Sequence, residues 1–286
     1  MIIDFHCHIL PPSFADRHDE LSARDATYAT LFPQSGARMA TAETLLAAMD
    51  SANIDHAVAL GFGWDDLEVA REVNDYMAEA VQRHGQRLTG YCSVNPAWGD
   101  AALEEVERCA RAGLKGVGEL HPDSQGVDLA DYFAMAPFMG LVRSLDLPVL
   151  VHASEPVGHT YPGKGTTTPD KIYKFVRNFP DNTIICAHWG GGLAFYGLMP
   201  EIPGELENVY FDTAASPFLY RREVFSIAAQ TIGADRILFG TDFPLLRHER
   251  VLEQVQNAPL DESGRQQILG RNAAGLLGLD RTRLPD

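Results

Sequence analysis

Basic residues are scarce in this chain. Its 286 residues include 23 lysines and arginines against 39 aspartates and glutamates, which gives a formal net charge of −16 at pH 7. Negative charge of this size repels a phosphate backbone unless a basic stripe offsets it, and the longest basic run is Arg221-Arg222. We therefore expect neither nucleic acid nor an anionic membrane as a partner.

Long apolar runs and closely spaced cysteines are also missing. The most apolar segments, such as PVLVH at 148–152, are far shorter than the roughly 18 residues of a membrane-spanning helix. The four cysteines form no CxxC pair, and the start MIIDFHCH lacks the basic and apolar regions of a signal peptide. These absences predict a cytoplasmic protein that does not span a membrane.

Apolar, β-branched runs alternate along the chain with segments of helical periodicity. The predicted strands are 1–5, 54–60, 88–94, 114–120, 148–152, 183–189, 208–213 and 236–242. The predicted helices are 42–52, 67–84, 101–112, 132–145, 169–178, 193–207, 223–232 and 250–255, with a closing helix at 261–277.

Eight strand–helix repeats predict one α/β domain over residues 1–286, a closed (β/α)8 TIM barrel. The alternative is an open, doubly wound sheet. No GxGxxG follows the first strand, so a dinucleotide site is poorly supported. The two longest connections, 9–40 and 153–168, follow the first and fifth strands, at the strand ends where barrel enzymes build their active sites.

Histidines stand at the end of the first predicted strand. His6 and His8 are separated by one residue, so on a strand they project from the same face, about 6.5–7 Å apart along the backbone. Two imidazoles so placed can chelate one divalent ion. An isolated HxH is about as often two unrelated histidines, so the motif needs support from other strands.

Further strand ends supply that support. His152 and His188 end the fifth and sixth strands, and burying an imidazole there costs free energy unless its nitrogens are paired. Two such histidines at matching positions favour metal ligands over core histidines. Asp242 ends the eighth strand, where an ionised carboxylate needs a cation or several donors; the alternative is a helix N-cap.

Glu119, on the fourth strand, has two interpretations. It shares one strand face with His121 and could bind or bridge metal. It could instead be the structural partner of a lysine or arginine.

The segments IDFHCHILP, VHASEP, AHWGGG and FGTDFP, with the ending GRNAAGLLGL, resemble the amidohydrolase superfamily of metal-dependent TIM-barrel hydrolases, in particular its amidohydrolase-related branch. The resemblance implies that His6, His8, His152 and Asp242 hold the metal, usually zinc, with His188 beside a metal-bound water. In binuclear relatives the residue matching His188 is itself a ligand, which leaves one or two ions open. The branch also contains decarboxylases of the aminocarboxymuconate-semialdehyde type.

The acid in GELH separates these reactions. Glu119 looks like the strand-four glutamate of TatD-type metal hydrolases, and its charge would repel the carboxylate of a decarboxylase substrate. We therefore predict hydrolysis of a C–N or C–O bond in a small amide, lactam, lactone or ester by a metal-activated water, with Asp242 accepting the proton and His188 orienting the water. One alternative is a metal-dependent, non-oxidative decarboxylase of an unsaturated or aromatic acid. The other, ranked last, is a metal-stabilised barrel that serves as a binding or scaffold protein and catalyses no reaction.

Residues in the loops after the strands are expected to contact the small-molecule substrate. Arg247 could receive a carboxylate, and the loop carrying His159 and Lys164 could close over the site. The predicted contacts are His121, His159, Tyr161, Lys164, Trp189 and Arg247. Whether the chain forms a homo-oligomer is left open.

Overall fold

Short parallel strands close a barrel in the computed structural model, which describes residues 1–279. The strands pair in two arcs, β1 to β3 and β4 to β8. Parallel bridges between Cys92 and Val117 and between Cys7 and Phe243 join the arcs. The predicted (β/α)8 barrel is therefore confirmed. The strands are β1 (Ile3–His8), β2 (His56–Leu60), β3 (Leu88–Gly90), β4 (Val117–Leu120), β5 (Val149–Val151), β6 (Ile184–Cys186), β7 (Val209–Asp212) and β8 (Ile237–Leu238).

The strands are buried on both faces, which explains their continuous apolar sequence. Leu150 and Ile185 belong to one buried cluster, whereas the neighbouring Val149 and Val151 belong to the larger cluster that includes the surrounding helices. Most strands end earlier than predicted; β8 stops at Leu238 rather than at residue 242.

Helices cover the outside of the barrel. Three of them, α3, α4 and α8, have the predicted bounds, and Thr41 caps α3 by accepting a hydrogen bond from the Thr44 N–H at 3.3 Å. Among residues 1–279, no helix combines the length and apolar character needed to cross a membrane. The helices are α1 (His18–Arg24), α2 (Ala26–Leu31), α3 (Ala42–Ala52), α4 (Leu67–His84), α5 (Asp100–Arg111), α6 (Pro122–Gln125), α7 (Tyr132–Ser144), α8 (Pro169–Asn178), α9 (Ile202–Glu205), α10 (Ser216–Leu219), α11 (Val224–Ile232), α12 (His248–Asn257), α13 (Glu262–Gln266) and α14 (Asn272–Leu277).

Two predicted helices and one predicted loop differ from the structure. The continuous helix predicted at 193–207 is wrong, because Met199 precedes a proline and is extended; only the end of a 3-10 segment and α9 occur there. A π-turn at Gln267–Arg271 interrupts the closing helix. The connection 9–40 is not irregular throughout, since it contains α1 and α2. The end of the predicted domain, 280–286, lies outside the described residues.

Candidate metal centre and active site

A β-bulge in β1 directs the two histidines of the HxH motif to the barrel mouth. From Asp4 to Cys7 the strand advances three residues while β2 advances only two, which inserts one extra residue. His6 and His8 are almost completely buried, and their Nε2 atoms lie 3.1 Å apart. The two imidazoles therefore converge on one point.

The hydrogen bonds of these two rings determine which nitrogen of each ring carries the hydrogen and which can bind a metal ion. The Nδ1 of His6 lies 2.8 Å from Oδ2 of Asp212, and the Nδ1 of His8 lies 3.0 Å from the carbonyl oxygen of Gly61. Both partners accept, so in the neutral rings each Nδ1 carries the hydrogen and each Nε2 presents a lone pair. Two lone pairs that face each other in a buried site repel unless a cation lies near them, so this donor set fits a divalent metal ion.

Glu119 reaches the same point from β4. Between Val117 and Leu120 this strand also advances three residues against two of its neighbour, a second bulge beside the site. Oε2 of Glu119 lies 3.5 Å from Nε2 of His6 and 3.6 Å from Nε2 of His8. These three residues form one group of possible metal ligands.

The other oxygen of Glu119 faces a second group of possible ligands. Oε1 lies 2.9 Å from Nδ1 of His152 and 3.3 Å from Nε2 of His188. The ring of His121 stacks on that of His152, and its Nε2 lies 3.1 Å from Oε2 of Glu119. The recorded polar contacts of Glu119 within residues 1–279 are thus imidazoles, which does not support the structural pair with a lysine or arginine.

Asp242 completes the ring of polar groups. Its Oδ1 lies 3.3 Å from Nε2 of His8 and 3.8 Å from Nε2 of His6. Although burial opposes ionisation, the hydrogen bond from His8 and the charges of His6 and His188 lower the pKa of the Asp242 carboxyl to about 2. The N-cap alternative fails, because Arg247 occupies the N-cap position of α12.

The carboxylates set the protonation of the buried imidazoles. Burial alone would lower the pKa of His6, but Asp212 and Glu119 outweigh it and raise the pKa well above its usual range. Burial also opposes protonation of His188, but the neighbouring carboxylates, mainly Glu119, raise its pKa to about 9. Burial prevails at His152, whose pKa is lowered. The pKa of Glu119 is held well below its usual range, against burial, by His121, His6 and His152. Without a metal ion, protons bound to His6 and His188 therefore offset the negative charge of the neighbouring carboxylates.

Sequence reasoning missed Asp212, the last residue of β7. Besides holding His6 through Oδ2, it accepts hydrogen bonds through Oδ1 from the backbone N–H groups of His188 at 2.9 Å and Ala214 at 3.0 Å. It is fully buried. The signal was available, because an acid at the end of the apolar run VYFD is the same pattern that identified Asp242.

A cavity of about 580 Å³ opens above this cluster. Its walls are largely apolar, with Leu10, Phe32, Met39, Phe62 and Phe218 among them. Phe62 also stacks on the His8 ring, with centroids 3.9 Å apart. Three of the predicted substrate contacts, His121, His159 and Tyr161, line the same cavity.

The other three predicted contacts lie elsewhere. Trp189 is fully buried, where its indole N–H donates to Ser216. Lys164 lines a smaller neighbouring cavity of about 210 Å³, and its Nζ donates to two carbonyl oxygens of its own loop. Arg247 is exposed and outside the lining, because it stands at the start of α12. The missed cation is Arg38, from the connection 9–40, the one lysine or arginine on the wall of the main cavity among residues 1–279.

Comparison with known proteins identifies the family. The model of the family described as Amidohydrolase matches residues 3–279. The chain belongs to the amidohydrolase family. It is an enzyme of that superfamily, as the resemblance of its motifs indicates.

Named relatives of this amidohydrolase are decarboxylases. It is 27% identical to the gamma-resorcylate decarboxylase of a Polaromonas species, over 75% of this chain and 77% of that protein. It is 22% identical to the 2-amino-3-carboxymuconate-6-semialdehyde decarboxylase of Dictyostelium discoideum, over 97% of this chain and 92% of that protein. The prediction of a hydrolase is therefore wrong, and the stated alternative fits these relatives better.

The fold of this amidohydrolase is similar to that of a solved decarboxylase. The 5-carboxyvanillate decarboxylase of Novosphingobium aromaticivorans, complexed with manganese and 4-hydroxy-3-methoxy-5-nitrobenzoic acid, superposes with a TM-score of 0.77 at 18% identity, over 98% of this chain and 96% of that chain. That protein holds a divalent metal and a small aromatic carboxylate; for this chain the likeness shows the fold.

Proposed function

We propose that the chain is a metal-dependent, non-oxidative decarboxylase of a small aromatic or unsaturated carboxylic acid. The observation that carries the proposal is a largely apolar cavity with one arginine, Arg38, at its wall and the cluster of imidazoles and carboxylates at its base. A planar carboxylic acid fits a cavity with apolar walls and a few polar groups, because its ring packs on the apolar walls and its anionic groups need cationic partners. The named relatives support the same reaction.

The metal ion would be held by His6, His8, His152 and Asp242, with Glu119 as a further ligand or bridge. Imidazole nitrogens and carboxylate oxygens are donors for both zinc and manganese. Glu119 offers one oxygen to each of two ligand groups, so one or two ions fit the donor set. Once bound, a divalent ion supplies a Lewis acid that stabilises negative charge on a substrate oxygen.

His188 is the proposed proton donor. In decarboxylation the bond between the ring and the carboxyl carbon breaks, its electron pair stays on the ring carbon, and a proton must form a new C–H bond as CO2 leaves. The Nε2 of His188 lies 3.3 Å from Oε1 of Glu119, which can hold a proton on that nitrogen until it passes to the ring carbon. His188 also lines the cavity.

The charge of Glu119 does not exclude an anionic substrate. Glu119 is 1% exposed, and imidazoles surround both of its carboxylate oxygens. Coulombic repulsion of a substrate is reduced when the nearest groups carry the opposite charge or donate hydrogens. This is why the argument from the sequence, which considered Glu119 alone, gave the wrong reaction.

The test is CO2 release in heavy water. Metal-loaded protein should release CO2 from a member of a panel of hydroxybenzoates and unsaturated acids, and the product should carry one deuterium at the carbon that lost the carboxylate. His188→Asn should bind metal yet lose most of this turnover. Absence of CO2 from a broad panel, in protein shown to contain metal, would refute the proposal.

A further inference from the structure

Behind the barrel mouth lies a second buried polar cluster. It consists of Asp4 on β1, Thr241 after β8 and His248, the first residue of α12, all at most 1% exposed. Oδ2 of Asp4 lies 2.8 Å from Nδ1 of His248 and accepts a 2.5 Å hydrogen bond from the Thr241 hydroxyl. None of these side chains lines the main cavity.

The cluster is bonded to the backbone on both sides of the metal centre. Oδ1 of Asp4 accepts from the backbone N–H of His6 at 3.1 Å and from that of Thr241 at 3.0 Å. The Thr241 hydroxyl in turn accepts from the backbone N–H of Phe243 at 3.2 Å. Through these bonds the Asp4 carboxylate holds the backbone of His6, one candidate ligand. It also holds Thr241 directly and Phe243 through Thr241, and these two residues flank Asp242, another candidate ligand.

Asp242 needs such support. Its φ is +67°, a left-handed conformation that a residue with a Cβ adopts only when its surroundings impose it. Its own backbone N–H donates to the His6 carbonyl at 2.9 Å. The Asp4 cluster and this bond together fix the separation between β1 and the segment after β8.

His248 completes the cluster from the helix layer. Its ring stacks on Phe243, with centroids 5.0 Å apart and planes 9° apart, and its Nε2 is buried with no hydrogen-bond partner among the described residues. The proton therefore belongs on Nδ1, where Asp4 accepts it. This orientation anchors the carboxylate from the side opposite the barrel.

A second metal site is the competing reading, because Asp4, Cys7 and His248 are close enough to share an ion. The hydrogen bonds argue against it. The carboxylate of Asp4 accepts four hydrogen bonds, two on each oxygen, and the Cys7 thiol is a further hydrogen-bond partner. A metal ion would have to displace at least one of these donors.

We infer that Asp4, Thr241 and His248 form a positioning cluster that holds His6 and Asp242 at the separation required to bind one metal ion. The inference rests on the metal site of the proposed function but not on the reaction. Supporting groups around metal ligands typically contribute about 10- to 100-fold in metal affinity. A loss of metal affinity in variants of this cluster therefore distinguishes a positioning role from a role in stability alone.

The experiment measures Co²⁺ affinity, by competition with a chelator, and the visible absorption of the bound ion. Thr241→Val removes the hydroxyl at nearly constant volume, and Thr241→Ser restores it. His248→Phe keeps the stacking on Phe243 but removes the bond to Asp4. We expect Thr241→Val and His248→Phe to weaken Co²⁺ binding by about 10- to 100-fold and to alter the absorption bands, whereas Thr241→Ser should resemble the wild type.

The matched control is His56→Phe. His56 is also buried and its Nε2 lies 2.8 Å from a threonine hydroxyl, that of Thr89, but it begins β2 at the opposite end of the barrel. This variant should lower the melting temperature of metal-free protein without changing Co²⁺ affinity or absorption.

Three results would overturn the inference. Thr241→Val and His248→Phe could lower the melting temperature as His56→Phe does while affinity and spectrum stay those of the wild type; the cluster would then be structural. A cysteine charge-transfer band lost in His248→Phe would make the cluster a metal site instead. Wild-type protein that binds no Co²⁺ would remove the metal centre of the proposed function as well, whereas the first two results leave it intact.

Discussion

The Asp212 carboxylate joins His6 to His188. Its Oδ2 lies 2.8 Å from Nδ1 of His6, and its Oδ1 accepts the backbone N–H of His188 at 2.9 Å. One buried side chain at the end of β7 therefore fixes the tautomer of a candidate metal ligand and the backbone of the proposed proton donor. A change at Asp212 should affect both groups.

Asp212→Asn should weaken metal binding by about 10- to 100-fold. The asparagine amide can present a hydrogen to His6 Nδ1, which moves the imidazole proton to the nitrogen that faces the metal. Calorimetric titration with Mn²⁺ measures the change. The control is Glu105→Gln. Glu105 is another buried acid, but its side-chain partners Asn74 and Arg108 lie on the outer helices α4 and α5. Equal Mn²⁺ affinity in both variants would contradict the assignment.

Glu119→Gln should lower the number of divalent ions bound per chain. Each Glu119 oxygen faces a different group of candidate ligands, and glutamine has no negative charge with which to hold an ion between them. Elemental analysis after equilibrium dialysis measures the stoichiometry. A variant with the full metal content and full activity would assign Glu119 to a purely structural role.

Metal-free protein should become less stable as the pH rises from about 6.5 to about 9. Burial opposes protonation of His188, but Glu119 raises its folded pKa to about 9, while an unfolded histidine titrates near 6.5. The folded state therefore binds more protons than the unfolded chain within this window, so the free energy of unfolding falls with increasing pH. His6, whose pKa is also raised, acts in the same direction.

Thermal melts of metal-free protein across this pH window test whether stability falls as the pH rises. His188→Asn should flatten the dependence. Metal-loaded protein should show the opposite trend, because divalent ions bind the unprotonated nitrogens and so bind more tightly as the pH rises. A melting temperature of the metal-free protein that rises with pH would refute the protonation scheme.

Arg38→Gln should raise KM for an acidic substrate by about 10- to 100-fold with a smaller effect on kcat. An arginine that binds an anion by charge-assisted hydrogen bonds contributes roughly 1.5–3 kcal/mol. Steady-state kinetics on the substrate identified by CO2 release measures this. Arg247→Gln is the matched control, because this exposed arginine lies outside the cavity wall and should leave KM unchanged. The reverse result would restore Arg247 as the substrate contact.

The sequence by itself determined the barrel and the kind of chemistry at its mouth. Eight buried strands must read as apolar runs, so their number and order were visible without coordinates. His6, His152 and His188 were recognisable because an imidazole at the end of such a run needs a polar partner.

Only the tertiary structure decided how these groups meet. The bulge in β1 breaks the two-residue alternation, so Asp4 bonds to His248 on the outer helix although it lies two residues from His6, which faces the mouth. Arg38 reaches the cavity wall from a connection whose path no local pattern specifies. The charge of Glu119 pointed to the wrong reaction for the same reason. Its effect depends on imidazoles gathered from β1 and from the segments after β5 and β6, and electrostatic interactions act through distances in space rather than along the sequence.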